Sequence, residues 1–157
     1  MGHQPQGYHT VIPYITVDDP AAALGFYERA FGAETTLKLM MGGQIGHAEF
    51  RIGDSHVMLS GEWPQMGIRG PKALDGTAVR LSVYVPDVDT TFARAVAAGA
   101  TPDREPQDEF YGDRMGAVTD PFGHRWMLHT HIRDVSDAEM QAAMDAMAAQ
   151  MGQPQPG

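Results

Sequence analysis

The residues best able to do chemistry fall in short alternating runs. In His47-Ala48-Glu49-Phe50-Arg51-Ile52 every second residue is polar, so an extended backbone puts His47, Glu49 and Arg51 on one face and Ala48, Phe50 and Ile52 on the other. His56 follows just beyond a Gly53-Asp54 turn. In the second half Val79, Leu81, Val83 and Val85 alternate with Arg80, Ser82 and Tyr84. Such a set can do acid–base work: Glu49 or His56 takes a proton beside a carbonyl and Arg80 neutralises the developing oxyanion. Glu49, His56 and Arg80 are therefore the candidate catalytic residues. The same groups with Tyr14, His47, Tyr84 and Trp126 can instead hold a polar, ring-containing small molecule without reacting with it. A solvated sheet face with a local ion pair accounts for His47, Glu49 and Arg51 equally well.

Elements that would position these residues recur twice. Ile15-Thr16-Val17-Asp18-Asp19-Pro20 leads into an Ala-rich helical stretch that stops at Gly32-Ala33, and Val83-Tyr84-Val85-Pro86-Asp87 leads into a second that stops at Gly99-Ala100. Asp19 and Asp87 can accept from the free N–H groups of each first turn, Pro20 suits the first helical position, and the glycines suit the close of the last turn. Leu24, Tyr27 and Phe31, then Phe92 and Val96, recur at helical spacing and mark core faces. Extended segments follow each helix: Gly46 to Ile52 and Ser55 to Ser60, then Arg114 to Thr119 and Arg125 to Thr130. By this repeat Ser55-His56-Val57-Met58 corresponds to Arg125-Trp126-Met127-Leu128, which would turn His56 and Trp126 toward the same hollow.

The expected class is α+β. A flexible start (1–9) precedes one domain over 10–133, composed of module one (10–60), a Gly/Pro-rich linker (61–76) that could cover a site, and module two (77–133). Ser136-Asp137-Ala138-Glu139 has capping-box spacing, and Met140, Met144, Met147 and Met151 form one stripe, so a C-terminal helix is expected within 134–151 before a flexible tail at 152–157. Flexible methionines suit packing on the protein's own core or on a partner subunit.

The chain has 157 residues, 11 Lys+Arg against 20 Asp+Glu, a net charge of −9 and no cysteine. The missing thiols exclude zinc-thiolate, Fe–S and thiol chemistry. The acidic balance and the lack of a basic run argue against nucleic acid and anionic membranes as partners. No secretory h-region and no run of about 18 apolar residues is present, so a cytoplasmic location is expected. Nothing matches a Gly-x-Ser-x-Gly elbow, a phosphate loop or a dinucleotide turn.

Pro13-Tyr14-Ile15-Thr16-Val17, Phe26-Tyr27 with Phe31-Gly32-Ala33, Tyr111-Gly112-Asp113-Arg114 and Asp120-Pro121-Phe122-Gly123-His124-Arg125-Trp126 occur in the order found in the vicinal oxygen chelate (VOC) superfamily. Over about residues 10 to 133 the chain resembles its glyoxalase, bleomycin-resistance and dioxygenase grouping, and within it the PhnB-like branch. The resemblance implies two βαβββ modules forming a curved half-barrel around a small-molecule cavity, usually in a homodimer. It also implies metal ligands on the first and last strands of both modules. Those positions fall on Ile12, Met58, Arg80 and Leu128, with Met127 as the one-residue alternative for the last, and none of these side chains suits a divalent ion. No cofactor is therefore expected. A displaced ion on His47, Glu49 and His56 is the alternative. The function implied is binding or sequestration of a small molecule. Its rivals are a lyase or isomerase with no metal or an atypical one, and a protein-interaction subunit docking through the methionine helix.

Overall fold

The computed structural model describes residues 2–152; most of the expected flexible tail, 153–157, lies outside the described residues. Module one runs β1 (Tyr14–Thr16), α1 (Pro20–Phe31), β2 (Glu34–Met41), β3 (Gln44–Ile52) and β4 (Ser55–Ser60). Module two repeats it as β5 (Arg80–Tyr84), α2 (Val88–Ala97), β6 (Thr101–Asp108), β7 (Asp113–Thr119) and β8 (Arg125–His131), and α3 (Asp137–Met151) follows. This is the expected α+β arrangement of two βαβββ modules with a C-terminal helix.

Helix ends form as their residues dictate. Asp19 accepts from the Ala22 N–H at 3.0 Å, Asp87 from the Thr90 N–H at 3.1 Å and Ser136 from the Glu139 N–H at 3.3 Å. Gly32, at φ 66°, closes α1 by donating to the Glu28 carbonyl.

Each module folds into a four-stranded sheet, in the orders β1-β4-β3-β2 and β5-β8-β7-β6. The first strand of each pairs in parallel with the last, Tyr14 beside Met58 and Ser82 beside Met127. Ala48, Phe50, Val57 and Leu59 of the first sheet, with Val118, Trp126 and Leu128 of the second, enter one buried cluster with α1 and α2.

Tyr27 links the two sheets. Its ring centroid lies 4.8 Å from Phe50 on β3 and 5.5 Å from Trp126 on β8. Both sheets turn their apolar faces to the cluster that includes α1 and α2, and each carries its polar side chains on the face away from that cluster.

Asp120, in the β7–β8 turn, joins the modules. It accepts from the Tyr27 hydroxyl (2.6 Å), the Trp126 indole N–H (2.9 Å) and the N–H groups of Phe122 and His124 (2.9 Å each). Burial and this carboxylate push the Tyr27 hydroxyl pKa far up, fixing it as a donor. Between the modules the Arg94 guanidinium donates to the Arg29 carbonyl at 3.1 Å, satisfying a free carbonyl in the last turn of α1.

No residue of α3 is buried, and Met144, Met147 and Met151 are exposed. The expected packing of this stripe on the chain's own core does not occur.

Candidate functional site

On the outward face of sheet one, β3 presents His47, Glu49 and Arg51 opposite its buried Ala48 and Phe50, as the alternation requires. The Tyr14 hydroxyl lies 2.7 Å from His47 Nδ1, and His47 Nε2 lies 3.2 Å from Glu49 Oε1. A neutral His47 satisfies both contacts when Nε2–H donates to the carboxylate and Nδ1 accepts from the phenol. Glu49 is only 5% exposed, and its other oxygen accepts from the hydroxyl of Tyr8, whose ring stacks on His56 at 4.5 Å and 8°. Burial pushes the Glu49 carboxyl up, but the Tyr8 and His47 hydrogen bonds outweigh it and hold the group below its ordinary value. Glu49 is thus a weaker base than an unpartnered carboxylate.

The outward face of sheet two is organised around Asp113, 3% exposed. It accepts from the Tyr84 hydroxyl at 2.9 Å, from His129 Nδ1 at 3.2 Å and from His131 Nδ1 at 2.8 Å, while His131 Nε2 donates to Asp134 at 2.9 Å. His129 is 6% exposed and stacks against Tyr84 at 5.1 Å. In a neutral ring donation to Asp113 places the proton on Nδ1 and leaves the lone pair on Nε2, an atom that is buried without a partner. Among the described residues the other such atom is His56 Nδ1, so each polar face carries one. At the opposite end of sheet two Arg80 and Arg125 lie side by side in register, both exposed.

Three expectations are corrected. Trp126 does not share a hollow with His56: it is 3% exposed, on the core face against Tyr27 and Phe31. The strand registers equate Val57 with Trp126 and Met58 with Met127, one residue away from the sequence correspondence, so His56 is matched by Arg125. Leu128 likewise belongs to the core, and Met127 holds the outward position. The candidate catalytic residues Glu49 and His56 share sheet one, whereas Arg80 stands on sheet two and makes no hydrogen bond or ion pair with either among the described residues.

Other residues were not anticipated. His129, His131 and Asp113 were not among the candidate site residues. The alternation Arg125, Met127, His129, His131 on β8 was the available signal; nothing around Tyr8 has a period. Arg114 pairs with Asp89 (2.7 Å) and Asp108 (2.9 Å).

The metal positions implied by the resemblance, with the last corrected to Met127, are Ile12, Met58, Arg80 and Met127. They offer two thioethers, an alkyl group and a cation, a set that does not fit a divalent ion needing N or O donors. Among the described residues no three His, Asp or Glu side chains have a metal-holding arrangement, His47, Glu49 and His56 included. The linker, containing a 3₁₀ turn at Pro64–Met66, borders two hollows. One of about 430 Å³ lies between Tyr14, Leu74, Val79 and Leu81, and one of about 840 Å³ beside Lys38, Met41 and Trp63.

The Asp113 cluster predicts a pH dependence. Hydrogen bonds to Asp113 and then Asp134 raise the His131 pKa, and donation from both ring nitrogens requires the imidazolium. Burial pushes Asp113 up, but His131, Tyr84 and His129 lower it overall. Asp113 therefore stabilises the fold above its unfolded pKa, a contribution lost as pH falls through the depressed folded value. The His131 contribution is present below the ordinary imidazole value and is lost as pH rises through the elevated folded one. The cluster is complete from mildly acidic to near-neutral pH. NMR titration should show His131 deprotonating above the ordinary imidazole value, and His131→Gln should remove the alkaline part of the stability profile.

Residues 8–128 match the Glyoxalase/Bleomycin resistance protein/Dioxygenase superfamily. An uncharacterised protein of Mycobacterium tuberculosis strain H37Rv is 42% identical over 156 residues, covering 92% of this chain and 91% of its own. One from Mycobacterium bovis is 44% identical over 139 residues, covering 85% and 91%. Among solved structures, TioX from Micromonospora sp. ML1 is 30% identical with a TM-score of 0.64, over 79% of this chain and 99% of that one. The fosfomycin resistance protein FosX from Listeria monocytogenes, 17% identical with a TM-score of 0.60, shares the fold over 83% and 96%. The chain belongs to the glyoxalase/bleomycin resistance/dioxygenase (VOC) superfamily. No helix among the described residues is long and apolar enough to cross a membrane.

Proposed function

We propose that the protein is a cytoplasmic, homodimeric binder of a polar, ring-containing small molecule, of the sequestration type and of the PhnB-like branch. Each cavity is walled by module one of one subunit and module two of the other. The observation that carries this reading is that the two ring-rich polar clusters lie on separate sheets, one per module, and share no hydrogen bond or ring contact among the described residues. Exposed apolar side chains support it: Tyr14 is 53% exposed, and Leu74 and Val79, beside the 430 Å³ hollow near the free edges of β1 and β5, are exposed too. Unpaired edges and apolar patches of this kind mark association surfaces. The exposed methionines of α3 suit the same partner.

In this cavity Tyr14, His47, Glu49 and His56 face Arg80, Tyr84 and Arg125 of the other subunit. The side-by-side guanidiniums would hold an anionic end of the ligand by charge-assisted hydrogen bonds. The donor set described above offers no support for the family's usual metal at this site. Sedimentation should give a dimer, and Arg80→Gln should weaken binding of an aromatic carboxylate such as 2-naphthoate about tenfold while sparing its neutral amide. A monomer at all concentrations, or equal loss for acid and amide, would overturn the reading.

A second reading, a lyase or isomerase working by acid–base chemistry, is favoured by one observation. Asp113 orients His129 so that Nε2 is a lone-pair acceptor without a partner, the arrangement of a general base. His129→Gln removing proton exchange from a bound carbonyl compound, with binding intact, would support it.

A further inference from the structure

Residues 2–13 form no helix or strand, yet Tyr8 within them is fixed on the polar face of sheet one. Its ring lies flat on the His56 imidazole and its hydroxyl donates to Glu49, whose other oxygen is met by His47. Module two holds a phenol in the same manner: the Tyr84 ring stacks on His129 and its hydroxyl donates to Asp113. Twice in one chain, a ring rests on an imidazole and its O–H reaches a buried carboxylate.

The two cases differ in tether. Tyr84 belongs to β5, hydrogen-bonded to β8, and cannot leave without breaking the sheet. Tyr8 sits on a segment outside both sheets, so its withdrawal opens the site without disturbing a strand. Glu49 would then lose one of its two donors, and another O–H or N–H can take that place. His56 Nδ1, buried without a partner, adds a second unsatisfied group beneath the same ring.

We propose that Tyr8 is the resident occupant of a phenol-accepting subsite made by His56, Glu49 and His47, and that the ligand places a hydroxyarene ring there by displacing it. The ligand ring takes the stack on His56 and its hydroxyl takes the bond to Glu49. This deepens the reading of module one as a ligand wall, but the subsite lies within a single chain and does not need the dimer. A tethered side chain competes at an effective concentration in the millimolar range, so it lowers the apparent affinity for a free phenol.

The probe is 4-nitrophenol, whose yellow phenolate colour fades when its hydroxyl is held protonated against a carboxylate. Tyr8→Ala should bind it at least tenfold more tightly than the natural chain, with loss of colour, and should gain clearly less for 4-nitroanisole, which can take the vacated stack but lacks the O–H. Tyr8→Phe, which keeps the stack and loses the hydroxyl, should fall between the two and covers the case in which the alanine variant is unstable. Adding Glu49→Gln to either, which leaves only a neutral acceptor, should sharply reduce the preference for the phenol over the ether. The inference is overturned if neither Tyr8 variant gains affinity, or if phenol and ether gain alike. Phenol binding by a monomeric chain would sustain it and sink the composite cavity. A dimer that binds 2-naphthoate through Arg80, with no phenol gain in the Tyr8 variants, would do the reverse.

Discussion

Asp120→Ala should lower the free energy of unfolding by about 3–5 kcal/mol, measured by urea denaturation. The carboxylate is 4% exposed and takes four donors, two from side chains on different modules and two from its own turn. Its removal leaves the Tyr27 hydroxyl, the Trp126 indole and two backbone N–H groups without acceptors at the centre of the molecule. Asp120→Asn keeps the shape and one acceptor oxygen and should cost less than half as much. If alanine and asparagine cost the same small amount, the joint between modules is held by ring packing alone.

Gly112→Ala should be similarly severe, about 3 kcal/mol or more. Gly112 sits at φ 95°, and an added Cβ would lie 2.1 Å from the Arg133 carbonyl oxygen and 2.9 Å from a Val135 methyl. The Gly112 carbonyl also accepts from the N–H groups of Ile132 and Arg133. The substitution therefore strains the backbone and pushes apart the two segments that hold Asp113, His131 and the approach to α3. Melting should fall sharply, and the His131 titration should move back toward the ordinary imidazole value. A stable variant with an unchanged His131 titration would show that this contact relaxes without cost.

Much of the architecture could be read from local chemistry. The Asp19 and Asp87 caps, the Gly32 stop and the period of two through residues 47–52 are set by neighbours in the chain, and the structure holds them as the sequence implies. Facing was harder where alternation was weak. In Arg125-Trp126-Met127-Leu128 three of four residues are large and apolar, so the pattern does not say which side is core, and a one-residue slip reverses every side chain. That slip sent Trp126 and Leu128 to the wrong face. The link between one sheet and the other rests on Tyr27 reaching Phe50 and Trp126, contacts between residues far apart in sequence that no period encodes. Asp113 was hidden for a related reason: its partners Tyr84, His129 and His131 lie on two other strands and converge only through register.

Under the proposed pairing each chain carries two unlike half-sites, and this limits how copies can associate. A twofold axis lets both halves of both chains meet at once, giving a closed pair with two equivalent pockets and one ligand per chain. Any other operator that joins unlike halves leaves one of each kind bare at the ends, so assembly would continue into rings or open fibres. A surface change that spoils the twofold fit while leaving the half-sites intact would favour growth into chains over a return to monomer.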